Sequence, residues 1–216
     1  MSAREEILQR VRGGLGKGDL AGRRAAAESL VRNPVRGPQP RLDADLTRRF
    51  ASKARYLASS VEHVDCLAQV PTAVARYLAD QGLPLLAVAT GDVAGFDWPG
   101  SGVEIAVRVA VDADKTGISG CFCAIAETGT LMLLAGPQTP GSVSLLPETH
   151  IAIVPVGRIV ATMEDAFALL RAEHGKLPRA VNFISGPSRT GDIEQTIVLG
   201  AHGPCRVHLI LVGENS

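Results

Sequence analysis

Residues 61–90, "VEHVDCLAQVPTAVARYLADQGLPLLAVAT", decide the fold. The opening "VEHVDC" reads as a strand. Residues 70–81 then place apolar side chains at helical spacing, with Pro71 in the first turn, where a missing N–H costs nothing, and Gly82 just beyond the end. "PLLAVAT" follows as a short, continuously apolar run of the kind buried on both faces of a parallel sheet. Strand, helix and strand make a βαβ unit, and the chain around it repeats the alternation.

Toward the C-terminus, "VEIAVRV" (103–109) alternates as a strand, and "GISGCFCAIAETGTLMLLAG" (117–136) reads as two strands folded back through the polar "ETG". "HIAIVPV" (150–156) is apolar enough for an interior strand, and residues 162–174 form a helix with His174 in the last turn. "AVNFIS" (180–185) and "RVHLILV" (206–212) supply two more strands. The pattern predicts an α/β fold, a three-layer α/β/α sandwich around a mainly parallel sheet with an antiparallel hairpin. No internal repeat is present.

Toward the N-terminus, a helix is expected from about Asp43, as its N-cap, to Leu57, with Leu46, Phe50, Ala54 and Leu57 on its apolar stripe. Before it come a short amphipathic helix over residues 2–12, the Gly-rich break "GGLGKGD" (13–19) and a Pro-rich linker, "NPVRGPQPR" (33–41). These features divide the chain into a basic helical arm with its linker, 1–41, and an α/β body, 42–216. The Gly-rich break lacks both the GxxxxGK[ST] spacing and a preceding strand, so it is no phosphate loop.

Length and composition agree with a chain of this class: 216 residues, 46% hydrophobic, enough for a full core. The formal net charge is zero, yet residues 1–60 hold 13 Lys+Arg against 6 Asp+Glu, and the rest 9 against 16. The arginines of the arm lie along helical patterns with few aromatics to stack on bases, which fits solvated helix faces or packing on an acidic neighbour and not nucleic acid. The first 14 residues carry charges where a signal peptide needs an apolar core, and no run is long enough to span a bilayer, so a cytoplasmic location is expected.

Four cysteines, Cys66, Cys121, Cys123 and Cys205, read as reduced thiols. The "CFC" pair would point to one face of a strand, but no CxxC or histidine at ligand spacing accompanies it, so buried small hydrophobes are expected and no metal. Iron–sulfur ligation needs several spaced cysteines, which this chain lacks. Neither a flavin nor a nicotinamide fingerprint occurs.

In open α/β sheets ligands settle outside the carboxyl ends of strands, so the polar loops after "AVNFI", "CAIA" and "LLAVAT" are where chemistry is expected. The loop "SGPSRTGD" (185–192) offers the hydroxyls of Ser185, Ser188 and Thr190 and the amides of Gly186 and Gly191 around an anion that Arg189 would neutralise. Asp192 could cap the following turn. A structural turn held by Ser and Asp side chains is the competing reading. A serine-hydrolase elbow is excluded, because Thr190 stands where the second glycine of GxSxG must sit and Pro187 stiffens the turn. Glu127 falls at the tip of the apolar hairpin, where partial burial suits a carboxyl to acid, base or nucleophile work, or else it is an exposed turn carboxylate. His202, in "AHGP", is either a proton carrier or a structural histidine.

Taken together, "AIAETGTLMLL" (124–134), "SLLPETHIAIVP" (144–155), "NFISGPSRTGDIEQTIVLGAHGP" (182–204) and "RVHLILV" resemble the LUD-domain family over roughly residues 40–213. The resemblance implies a fold like that of the sugar-isomerase and CoA-transferase group. It also implies a place beside two iron–sulfur partner proteins in the oxidation of L-lactate to pyruvate. The clusters would lie in those partners, with no cofactor in this chain and a small carboxylate or phosphate as ligand. The family pattern falls on Glu127, Thr128, Gly129 and Thr130, on Ser185 through Thr190, on Asp192, Ile193 and Glu194, and on Gly200, His202, Gly203 and Pro204. Gly191 stands where the pattern has alanine. By analogy with the Glu-x-Gly turn of CoA transferases, Glu127 ranks first among catalytic candidates, with His202 as its proton partner. Two other readings stay open: a stand-alone isomerase or acyl-transfer enzyme using Glu127, and a non-catalytic assembly subunit.

Overall fold

The computed structural model describes residues 2–15, 19–33, 37–38, 44–190 and 198–213. The chain divides into two compact units, Met1–Arg41 and Leu42–Ser216.

The first unit holds two helices, α1 (Ala3–Gly14) and α2 (Leu20–Arg32), neither of which buries a side chain. α1 starts at a capping box: the Ser2 hydroxyl accepts from the Glu5 amide while the Glu5 carboxylate accepts from the Ser2 amide. α2 was not expected from the sequence as a distinct element. Its "AAAE" centre is strongly helix-favouring, but the apolar stripe that makes a helix legible is weak there.

The second unit begins with α3 (Leu46–Tyr56), capped by Asp45, whose side chain accepts from the Arg48 amide. The expected cap, Asp43, lies outside the described residues. Phe50 and Ala54 of the expected stripe are fully buried, and burying the phenyl ring alone is worth about 2 kcal/mol.

Six strands form one parallel sheet: β1 (Ser60–Val64), β2 (Leu86–Ala89), β3 (Glu104–Val107), β4 (Thr116–Ser119), β7 (Thr149–Pro155) and β12 (Arg206–Val212), in the order β1-β12-β7-β4-β2-β3. A second sheet, ordered β8-β5-β6-β9, contains β5 (Cys123–Ile125), β6 (Thr130–Leu134), β8 (Ile159–Val160) and β9 (Val181–Ile184). β5 and β6 are the antiparallel hairpin. β10 (Arg189–Thr190) and β11 (Val198–Leu199) form a small antiparallel pair of their own.

Two features go beyond the sequence reading. The strands of the 61–90 unit are parallel members of one sheet, but β12, β7 and β4 lie between them. Residues 117–136 hold three strands, because Gly120–Phe122 carries the chain from β4 in the large sheet to β5 in the small one.

One face of the large sheet packs on α4 (Val70–Asp80) and α5 (Trp98–Ser101) through Val74, Leu78, Trp98, Ile151 and Ile210. The other packs on α3 and the small sheet through Phe50, Leu131, Val154 and Leu209. The outer face of the small sheet is closed by α7 (Met163–His174) through Ile125, Met132 and Leu170. Helices thus cover both faces of a mainly parallel sheet, and the hairpin's sheet shares the third layer with α3. A four-residue helix, α6 (Ser142–Leu145), crosses beside β4. No helix among the described residues is long and apolar enough to cross a membrane.

The "CFC" thiols do not share a face. Cys121 precedes β5 and packs at the edge of the core between the sheets, while Cys123 lies under α7. Burial pushes the Cys121 thiol well above its ordinary value and the Cys123 thiol up to about 11, so both are held protonated.

Candidate functional site

The motif residues converge on the C-terminal end of α3. Its last carbonyls have no partner within the helix and form the negative end of its dipole. The Arg189 guanidinium answers one of them, its Nη2 donating to the Leu57 carbonyl at 3.0 Å. Gly186, at φ +83°, passes so close that a Cβ there would lie 2.2 Å from the same oxygen. The hairpin tip arrives from the other side: Gly129, at φ +70°, would place a Cβ 2.5 Å from the Ala54 nitrogen. Both glycines serve a left-handed backbone and a close approach at once, which no other residue type can do.

Between the two glycines runs a chain of hydroxyls. Thr128 Oγ1 donates to Thr130 Oγ1 at 2.8 Å, and Thr130 Oγ1 lies 2.7 Å from Ser185 Oγ. With Thr130 accepting from Thr128, its own proton goes to Ser185, leaving the exposed Ser185 O–H to donate outward. Ser188 is fixed by its backbone: its amide donates to the Pro204 carbonyl and its carbonyl accepts from the Gly200 amide. A Cβ on Gly203 would stand 3.3 Å from the Ser188 Cβ, so the "HGP" turn packs on the "SGPSR" loop. Thr190 pairs with Val198 in the small antiparallel ladder.

The two proposed proton carriers are not joined. Glu127 is half-buried, with its amide donating to the Ala161 carbonyl, and His202 is exposed; among the described residues no hydrogen bond or ion pair links them. Asp192, Ile193 and Glu194 lie outside the described residues.

A separate cavity of about 240 Å³ opens outside the carboxyl ends of β2 and β4. This is the place after "LLAVAT" that the strand-end rule singles out. β6 runs between the two regions, with Thr130 at the motif end and Leu134 at the cavity end, about 13 Å apart for four residues of strand. Sequence reasoning missed the cavity's key groups. Asp92 takes a hydrogen bond from the Thr90 hydroxyl and fills the space that the missing side chain of Gly120 leaves. Ser119 Oγ lies 2.9 Å from His150 Nε2, and both residues are buried. Thirty-one positions separate that pair, so nothing local in the sequence could announce it. Burial alone lowers the His150 pKa to about 4, which keeps the imidazole neutral.

Comparison with known proteins agrees with the motif. Residues 89–212 match the LUD domain. The chain is 39% identical over 142 residues to "Lactate utilization protein C" of Exiguobacterium sp. (strain ATCC BAA-1283 / AT1b), an alignment covering 64% of this chain and 61% of that one. It is 38% identical over 133 residues to the protein of the same description from Bacillus subtilis (strain 168), covering 55% and 54%. The chain thus spans little more than half the length of the curated relatives it matches. A crystal structure of a DUF162 family protein from Deinococcus radiodurans superposes with a TM-score of 0.61 at 26% identity, covering 81% of this chain and all of that one. A match over more than half the chain, with the ETGT and SGPSR segments meeting on the end of α3, makes this protein a member of the LUD-domain family.

Proposed function

We propose that this chain serves in lactate utilisation as a non-redox component that binds a small anion, working beside iron–sulfur partner proteins. The naming of its relatives supports the lactate reading. The observation that carries the ligand reading is the row of hydroxyls from Thr128 through Thr130 to Ser185, ending beside the loop that bears Arg189. A carboxylate or phosphate needs donors, and an outward Ser185 O–H with a guanidinium supplies them. The carbonyls ending α3 would repel an anion, so the charge of Arg189 has to serve both the helix end and the ligand. Its Nη2 donates to the Leu57 carbonyl, and a guanidinium has five N–H donors in its fork, so one group can serve both the helix end and a ligand.

Thermal-shift titration of the intact protein with lactate, pyruvate and phosphate tests this, since a ligand bound only by the folded state raises the melting temperature by mass action. At about 100 times Kd the stabilisation amounts to about 2.7 kcal/mol. We expect one of the three to raise the melting temperature in the wild type, and Ser185→Ala and Arg189→Ala to abolish the shift. Arg189→Ala should also cost the ligand-free protein about 1 kcal/mol through the lost bond to Leu57. No shift with any of these anions, or a shift that survives both substitutions, overturns the reading.

A further inference from the structure

The cavity at the ends of β2 and β4 has a chemistry opposite to that of the arginine loop. Its lining contains no Lys or Arg, and its titratable side chains besides the Cys121 thiol are Asp92 and His174. Arg158 lies nearby but is committed: its Nε donates to the Phe122 carbonyl, its guanidinium lies 4.8 Å from the Phe122 ring centroid, and it pairs with Glu173 at 2.6 and 3.0 Å. A carboxylate or phosphate would therefore meet the like charge of Asp92, with no permanently charged Lys or Arg in the lining to offset it. Donors are what Asp92 requires, since an ionised carboxylate only accepts.

The buried histidine determines what Ser119 offers. His150 Nδ1 has no hydrogen-bond partner, and the side chain is completely buried. In a neutral imidazole one nitrogen carries the proton, and a buried N–H without an acceptor is the costlier orphan. The proton therefore belongs on Nε2, donating to Ser119 Oγ across the 2.9 Å contact. With its oxygen so engaged, Ser119 turns its own O–H toward the cavity it lines. Gly120 directly follows, and a Cβ there would lie 2.4 Å from Asp92 Oδ2, so the same cavity is lined by a donor (Ser119) and an acceptor (Asp92).

A molecule with several alcohol hydroxyls satisfies both, since each hydroxyl can accept as from Ser119 and donate as to Asp92. An ammonium can only donate, and a carboxylate can only accept. Further polar partners surround this pair in Thr139, Ser144 and Asn182, while Phe122, Leu133 and Leu134 supply an apolar wall for C–H groups. We infer that this cavity is a second ligand site, distinct from the arginine loop, that takes a small uncharged polyol. The volume of about 240 Å³ restricts it to molecules smaller than a typical drug-sized ligand.

The test is an NMR titration of the intact, isotope-labelled protein with glycerol, myo-inositol and glucose, against glucose 6-phosphate and lactate as charged counterparts. The expected result is saturable shifts of the Gly120, Cys121, Thr139 and Asn182 amides with at least one neutral polyol, and none there with the anions. Asp92→Asn, nearly isosteric, should weaken that polyol by about tenfold or more, while Arg189→Ala leaves it unchanged. Because the mapping uses the wild-type protein, a misfolded variant would not obscure the outcome. Absence of saturation by any polyol at about 10 mM, shifts that map away from the cavity, or anions producing the cavity shifts would each overturn the inference.

Discussion

Gly129→Ala is expected to lower the unfolding free energy by about 3 kcal/mol, read as a fall in the urea midpoint at unchanged m-value. Two causes add. At φ +70° an alanine carries a left-handed penalty of about 1–2 kcal/mol. Its Cβ would also lie 2.5 Å from the Ala54 nitrogen and 2.7 Å from the Lys53 carbonyl carbon, backbone atoms of α3 that cannot rotate away, and forced shifts of this kind cost about 1–3 kcal/mol. Gly82 provides the control. It has φ +63°, yet nothing lies within 4 Å of its would-be Cβ, so Gly82→Ala should show the left-handed penalty alone. Equal losses at the two positions would mean that the hairpin tip does not press on α3. The effect matters for function because the same contact holds Thr130, and through it Ser185, in line.

The second large effect is a loss of stability in mild acid. His150 and His208 both have pKa values lowered by burial to about 4, with Arg76 adding to the effect at His208. In the unfolded chain each returns to about 6.5. Between those values the unfolded state binds more protons than the folded one, so stability is fully present above about pH 6.5, falls as the pH drops, and levels off below about 4. A difference of about 2.5 units at about 1.36 kcal/mol per unit gives about 3 kcal/mol for each histidine. Carboxylates with lowered pKa, such as Asp114 and Glu173, act in a lower window, below about pH 4.5. Urea unfolding at pH 7, 6 and 5 checks this: the midpoint should drop at each step, and His150→Gln should flatten the dependence. A midpoint independent of pH between 5 and 7 would show that these histidines are solvated.

The two histidines also mark where sequence reading stops. They sit in "HIAIVPV", legible as an interior strand, and in "RVHLILV", legible as a strand. Their surroundings were not legible. His208 stacks on Tyr77 of α4, with centroids 3.9 Å apart, and takes Ser60 of β1 as its partner at 2.8 Å. His150 takes Ser119 of β4. Each partner comes from a strand or helix far away in the chain.

The same division runs through the motif. That "SGPSR" and "ETGT" form a specific pair could be read from their residues, and the left-handed glycines are what a polar turn between apolar strands requires. That Arg189 would meet the Leu57 carbonyl, 132 positions away, could not. Nor could the half-burial of Glu127 and the exposure of His202.

What the sequence determined by itself was local: the strands and most helices, the turn glycines, the mainly parallel α/β class and the family motif. Each is encoded in hydrophobic period and turn chemistry within a few residues. Strand order, the assignment of the hairpin to its own sheet, the Ser119–His150 pair, and the cavity beside Asp92 were decided only by tertiary structure. They depend on which buried faces pack together, and the apolar contacts that choose among those packings are non-directional, so no short stretch of chain records their outcome.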